Sequence, residues 1–121
     1  MASEEIEDYL KTIYNLSSEK GYARIKDIAS KLKIKPPSVS QMMKKLSKLG
    51  YVECERYGGV KLTSKGKNAA KGIKKRHELI SEFFKCIGVP PKIADEDACR
   101  IEHHLHPKTM KQLVKFIKKK R

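Results

Sequence analysis

The chain has 121 residues, 39% hydrophobic and 35% charged, with a formal net charge of +14. That length suits one compact domain, or a small domain with an appended element. No apolar run approaches the roughly 20 residues of a membrane span. The acidic start, MASEEIEDYL, lacks the basic and apolar regions of a secretory signal, so a cytoplasmic protein is expected.

Residues 20 to 76 hold 17 Lys+Arg against 3 Asp+Glu, so the whole excess of positive charge lies in one contiguous segment. A confined basic segment is the electrostatic footprint of a phosphate-binding face. The bland alternative is a lysine-rich, heat-tolerant surface. The three cysteines, Cys54, Cys86 and Cys99, are odd in number and widely spaced. They argue against a disulfide framework, and with no C-x-x-C pair a structural zinc ribbon is not expected.

In chain order, residues 3 to 18 read as a helix with Ile6, Tyr9, Leu10, Ile13 and Leu16 on one face, Ser3 as N-cap and Gly21 as terminator. A short helix over 26–32 follows, with Ile28, Ala29 and Leu32 apolar. Pro36-Pro37 then opens a third helix to about Leu49, with Val39, Met42, Met43, Leu46 and Leu49 as its buried stripe and Gly50 at its end. Residues 51–56 and 60–62 read as two strands around a Tyr57-Gly58-Gly59 turn. Thr63 caps a long helix to about Gly88, with buried positions that include Ile73, Ile80, Phe83 and Ile87. A fifth helix is predicted from about 92 to Leu105, and a sixth after His106-Pro107. Leu113, Val114 and Ile117 form an apolar stripe on that last helix, which suggests a dimer interface.

Ile25 to Met43 meets the steric demands of a helix-turn-helix. Ala29 is small at the helix crossing, and Ile28, Leu32, Ile34, Val39 and Met42 fill the wedge. The second helix then turns Ser38, Ser40, Gln41, Lys44, Lys45 and Lys48 outward, groups that suit base edges and phosphates. The hairpin is its wing, with Arg56, Tyr57 and Lys61 at the tip. Pattern, wing and confined charge agree, which favours DNA binding over an ordinary helical surface.

Cys99, Glu102 and His103 stand at i, i+3 and i+4 of the fifth helix, which puts them on one face. Thiolate, carboxylate and imidazole together suit a transition metal. Further ligands must come from elsewhere, and His77 and Asp8 are the best candidates. The alternative is that Glu102 and His103 are surface residues and Cys99 a small packing group.

The segments EDYLKTIYNL, GYARIKDIASKL, PPSVSQMMKKL, GYV, LTSKG, RHELISEFF, IGV and EDACRIEHHL run from residue 7 to about 105. In this order and spacing the chain resembles the diphtheria-toxin-repressor and manganese-transport-regulator family. The resemblance implies a homodimer that binds a palindromic double-stranded DNA operator when divalent metal is present. It implies metal ligation by Asp8, Cys99, Glu102 and His103, with His77 at an adjacent metal position, and base contacts from Pro37, Ser38, Ser40 and Gln41. Against the family pattern, manganese-type members have carboxylates where Cys99 and Lys11 stand, and toxin-repressor types have methionine where Asp8 stands. Ser81 replaces a secondary carboxylate ligand, for which Asp95 is a partial substitute. Ending at Arg121, the sequence reads as a short form without the C-terminal barrel of longer members.

The expected fold is mainly α: a winged helix-turn-helix with a two-stranded wing over residues 1–70, and a helical metal-binding and dimerization region over 71–121. The expected function is metal-dependent repression, not catalysis. Iron(II) is favoured because Cys99 offers a thiolate, with manganese, cobalt, nickel or zinc as alternatives. A rival reading is a metal-independent winged-helix regulator with Cys99 as redox sensor. A small metallohydrolase built on Glu102, His77 and His103 lacks an H-E-x-x-H motif and a pocket-forming loop.

Overall fold

The computed structural model describes residues 3–56 and 59–120. These form α1 (Glu4–Lys20), β1 (Ala23–Arg24), α2 (Ile25–Leu32), α3 (Pro36–Lys48), β2 (Val52–Cys54), β3 (Gly59–Leu62), α4 (Ser64–Cys86), α5 (Pro91–Ile101) and α6 (Pro107–Lys120). The chain divides into two compact units, Met1–Lys71 and Gly72–Arg121. The Tyr57-Gly58 part of the expected wing turn and the terminal Arg121 lie outside the described residues. Among the described residues, no helix is long and apolar enough to cross a membrane.

In the first unit, the Ser3 hydroxyl accepts the Ile6 N–H at 3.3 Å and starts α1. Gly21 ends it at φ 80°, with its N–H donating to the Ser17 carbonyl. Of the predicted stripe, Ile6, Tyr9, Leu10 and Ile13 are buried and Leu16 is half-buried. Each of the three aliphatic side chains, Ile6, Leu10 and Ile13, taken from water contributes about 1.5–3 kcal/mol before entropy is counted. α2 buries Ile28 and Ala29, and the small Ala29 lies at 3% exposure where the helix-turn-helix needs close packing. The turn between α2 and α3 depends on Lys33, left-handed at φ 59°. There the Lys33 and Ile34 N–H groups fold back on the Ser30 and Ala29 carbonyls. Val39, Met43 and Leu46 of α3 are fully buried.

Of the expected core positions in this unit, Leu32 and Met42 are half-buried, and Ile34 and Leu49 are exposed. Ile34 is 38% exposed, because the left-handed residue before it redirects the chain out of the wedge. Leu49 is 41% exposed, because α3 ends at Lys48 and Leu49 is its cap, off the buried stripe.

The wing is larger than expected. β1 adds to the free edge of the hairpin, giving an antiparallel sheet of order β1-β3-β2 with Ala23 opposite Val60 and Val52 opposite Leu62. A strand of two residues carries no periodicity, so only pairing reveals it. Thr63 joins wing to helix: its hydroxyl donates to the Gly50 carbonyl at 2.6 Å and accepts the Gly66 N–H at 3.1 Å. A Cβ on Gly66 would stand 2.1 Å from the Tyr51 carbonyl oxygen, so only glycine fits where α4 starts against the wing.

The second unit buries Ile73, Ile80, Ala94, Ala98 and Ile117. Ile117 at 2% exposure faces the core of this unit and leaves the expected dimer stripe. Ile87, expected inside, is 58% exposed, because the chain leaves α4 there and turns at Gly88 with φ 101°. α5 stops at Ile101, four residues before the expected Leu105. Glu102 is its cap, and residues 102–104 form a turn in which the His104 N–H reaches the Ile101 carbonyl. This stop comes well before the His106-Pro107 break, so the proline, which restricts only the residue before it, does not set it. His106 then starts α6 by accepting the Met110 N–H on its carbonyl and the Lys108 N–H on Nδ1.

Candidate metal centre and nucleic-acid interface

The centre forms where α4 meets the end of α5. His77 Nδ1 lies 3.0 Å from Glu102 Oε2 and 3.7 Å from Cys99 Sγ. One ligand atom from each of His77, Cys99 and Glu102 lies within 4.8 Å of the other two. His103 reaches the other Glu102 oxygen, with Nε2 3.4 Å from Oε1. Glu102 keeps helical backbone and its N–H donates to the Ala98 carbonyl, so Cys99 and Glu102 both face His77 as the spacing suggested. Cys99 is still helical, Glu102 is the cap, and His103 is in the turn beyond. Asp8 lies half-buried on α1, within the first unit.

Glu102 is fully buried, and the His103 side chain is 2% exposed. A buried carboxylate costs several kcal/mol unless positive charge compensates it. An imidazole supplies hydrogen bonds and at most one titratable charge, whereas a divalent cation supplies two charges and directed coordination. The donor set of two imidazole nitrogens, one thiol and a dehydrated carboxylate therefore fits a transition metal.

Beside the centre, the buried Ser81 hydroxyl donates to Asp95 Oδ1, and Lys85 Nζ lies 3.7 Å from the same oxygen. The Ser81 hydrogen bond holds the Asp95 carboxyl below its ordinary range, with the charges of Lys85 and His77 adding to the effect. Asp95 and Ser81 entered the sequence reading only as departures from a family pattern. Their direct pairing across α4 and α5 had no signal in spacing.

In the first unit, Pro37, Ser38, Gln41, Lys44 and Lys45 are exposed on α3, and Ser40 is half-buried. Lys61 is exposed on β3, and Arg56 is exposed in a turn beyond β2, which ends at Cys54 rather than at the expected Arg56. Lys61 is held by an ion pair at 3.0 Å with Glu55, just past the end of β2. Cys54, Cys86 and Cys99 are exposed and form no disulfide.

A winged helix with a hydroxyl-, amide- and lysine-bearing α3, in a chain that also carries a thiol–imidazole–carboxylate cluster, defines a metal-regulated DNA-binding transcription factor. Residues 1–60 match the family described as iron dependent repressor, N-terminal DNA binding domain. Residues 63–121 match the iron dependent repressor metal binding and dimerisation domain. The chain is 47% identical over 105 residues to the HTH-type transcriptional regulator MntR of Shouchella clausii, covering 87% of this chain and 73% of that protein. Its fold is similar to that of IdeR from T. acidophilum, with TM-score 0.79 and 32% identity over 92% of this chain. It is also similar to the manganese regulator SloR, with TM-score 0.77 and 32% identity over 98% of this chain. The chain spans about half the length of those two structures, 53% and 54%. The chain belongs to the iron dependent repressor family of metal-activated, DNA-binding transcriptional repressors with a dimerisation domain.

Proposed function

We propose that this chain represses transcription by binding a palindromic operator as a homodimer when His77, Cys99, Glu102 and His103 hold a divalent metal. Asp8 is retained as a ligand on the resemblance alone. The observation that carries the reading is Glu102, a fully buried carboxylate between two imidazoles with a thiol beside them. When bound, the ion supplies positive charge and directed coordination at this carboxylate. His77 and Cys99 link α4 to α5, so ligation draws on groups from both helices of the second unit. Residues 1–70 then form the DNA-binding domain and 71–121 the metal-binding and dimerization domain. The free cysteines accord with a cytoplasmic location.

For DNA, Pro37, Ser38, Ser40 and Gln41 would face base edges, and Lys44, Lys45, Arg56 and Lys61 would face phosphates. For dimerization, the exposed Ile87, Ile93 and Phe116 give the second unit apolar surface beside Leu113, whereas Val114 of the expected stripe lines a different groove against α4. A metal-independent redox regulator is not favoured, since Cys99 stands among ligand groups in a chain of a metal-binding family.

Two metals compete in this reading. The thiolate of Cys99 favours iron(II) and its softer neighbours, whereas the manganese regulator among similar structures favours manganese. The test is operator affinity against free iron(II) and manganese for the native chain, Glu102→Gln and Cys99→Asp, with metal binding followed by calorimetry. Glu102→Gln should lose metal activation while keeping native circular dichroism. Its loss of metal affinity should exceed the roughly 10–100-fold typical of outer-shell changes. Cys99→Asp should shift preference toward manganese. Full activation of Glu102→Gln would place the metal elsewhere. A native chain that prefers manganese and is unmoved by Cys99→Asp would remove the thiol from the ligand set.

A further inference from the structure

The second unit carries a groove of about 440 Å³ between α4 and α6, away from the metal ligands in its lining. Its apolar surface comes from Leu79, Met110 and Val114, with Gly72 beside them. Its charged lining is Lys75 and Arg76 on α4 and Lys111, Lys115 and Lys118 on α6. No acidic residue lines it among the described residues.

Gly72 is a second, independent observation. A glycine inside a helix weakens it relative to alanine. Here a Cβ would meet nothing within 4 Å, so close packing inside the unit does not require the glycine. Its absent side chain instead leaves the α4 backbone open to close approach from the groove.

We propose that this groove docks an amphipathic helix of a partner protein, with an apolar stripe flanked on both sides by Asp or Glu. The charge decides among occupants. A second copy placed symmetrically would set these cations against their own images, which is repulsive. A DNA backbone would match the cations but gain nothing from the apolar surface. A single anionic headgroup with an acyl chain calls for cations gathered at one end. The cations here lie on both walls, and Lys111, Lys115 and Lys118 run along α6 at i, i+4 and i+7, about 10 Å of helix. Such spacing matches carboxylates repeated at helical intervals on a docked helix.

The test uses the full chain and three probes: a synthetic Leu/Glu amphipathic helix, a Leu/Lys helix with the same leucine stripe, and phosphatidylglycerol vesicles. Binding is read by fluorescence anisotropy or cosedimentation, and located by the methyl NMR signals of Leu79, Met110 and Val114. The Leu/Glu helix should bind and shift these methyls, and the Leu/Lys helix should not. Gly72→Leu fills the groove without changing charge and should weaken binding roughly tenfold or more. Val114→Gln should do the same, as an independent check should Gly72→Leu perturb α4. The proposal is overturned if the acidic helix binds both variants as it binds the native chain, since the basic segment elsewhere would then be its site. It is equally overturned if only the vesicles shift the methyls, which would assign the groove to a lipid.

Discussion

Asp95 shows how one neighbour sets the behaviour of a side chain. Its carboxyl is held low first by the Ser81 hydroxyl and then by the Lys85 and His77 charges. A depressed value in the folded state contributes stability above the ordinary carboxylate range, and that contribution is lost as pH falls through the folded value. The Asp95 side chain is 54% exposed, so solvent screening keeps the contribution small. Ser81→Ala should therefore move the Asp95 titration upward toward the ordinary range with little change in melting temperature. Carboxylate NMR titration of the two proteins reads this directly. An unchanged Asp95 value would mean that charge alone, and not the hydroxyl, sets it. Glu102 differs, because its complete burial lets neither water nor salt relieve it, and only its ligating neighbours or a cation can.

At the scale of elements, the helix-turn-helix rests on a short left-handed link. Lys33 occupies a region that disfavours residues with a Cβ by roughly 1–2 kcal/mol. Lys33→Gly should raise stability by about 1 kcal/mol, less some cost from glycine's greater freedom in the unfolded chain. Lys33→Val should lower it, since β-branching adds crowding at positive φ. Thermal denaturation decides the order, and a stable Lys33→Val would mean that the turn adopts another path. In the proposed reading, the neighbouring α3 separates two kinds of DNA contact. Gln41→Ala should cost about 1–3 kcal/mol of operator binding and little on random DNA, the range for a lost base contact. Lys44→Ala should weaken both alike, as a phosphate contact does. Equal loss of specificity from the two substitutions in a competition assay would mean that the recognition face lies elsewhere.

For the whole molecule, charge and assembly act together. The positive excess over residues 20 to 76 makes DNA affinity strongly salt dependent through counterion release. Between about 50 and 200 mM salt, a protein making roughly 6–10 phosphate contacts loses about 10³–10⁵ in affinity. Sedimentation of the metal-loaded chain with operator DNA across that range should show a dimer on the duplex that dissociates steeply with salt. A monomer on DNA, or a flat salt response, would remove the dimer or the phosphate-binding face from the proposal.

Sequence by itself determined most of the architecture, because periodicity, caps and turn residues are local. Ser3, Gly21, Thr63 and Pro36 stand where a helix must start or stop, and the Ile6–Ile13 stripe follows from 3.6 residues per turn. Lysine clustering likewise needs no coordinates. The proposed ligands Cys99, Glu102 and His103 were legible as a group because they fall within five residues of one another. Tertiary structure alone decided the rest, for reasons of pairing and termination. The β1 strand exists only because β3 had a free edge. α5 ends at Ile101, so His103 lies in the turn beyond it, which spacing did not indicate. The approach of α4 to α5 joins His77 to Glu102 across 25 positions of sequence and Ser81 to Asp95 across 14. It also decided that Ile117 turns inward while Ile87 faces solvent, because apolar character says that a side chain gains from burial but not which surface will cover it.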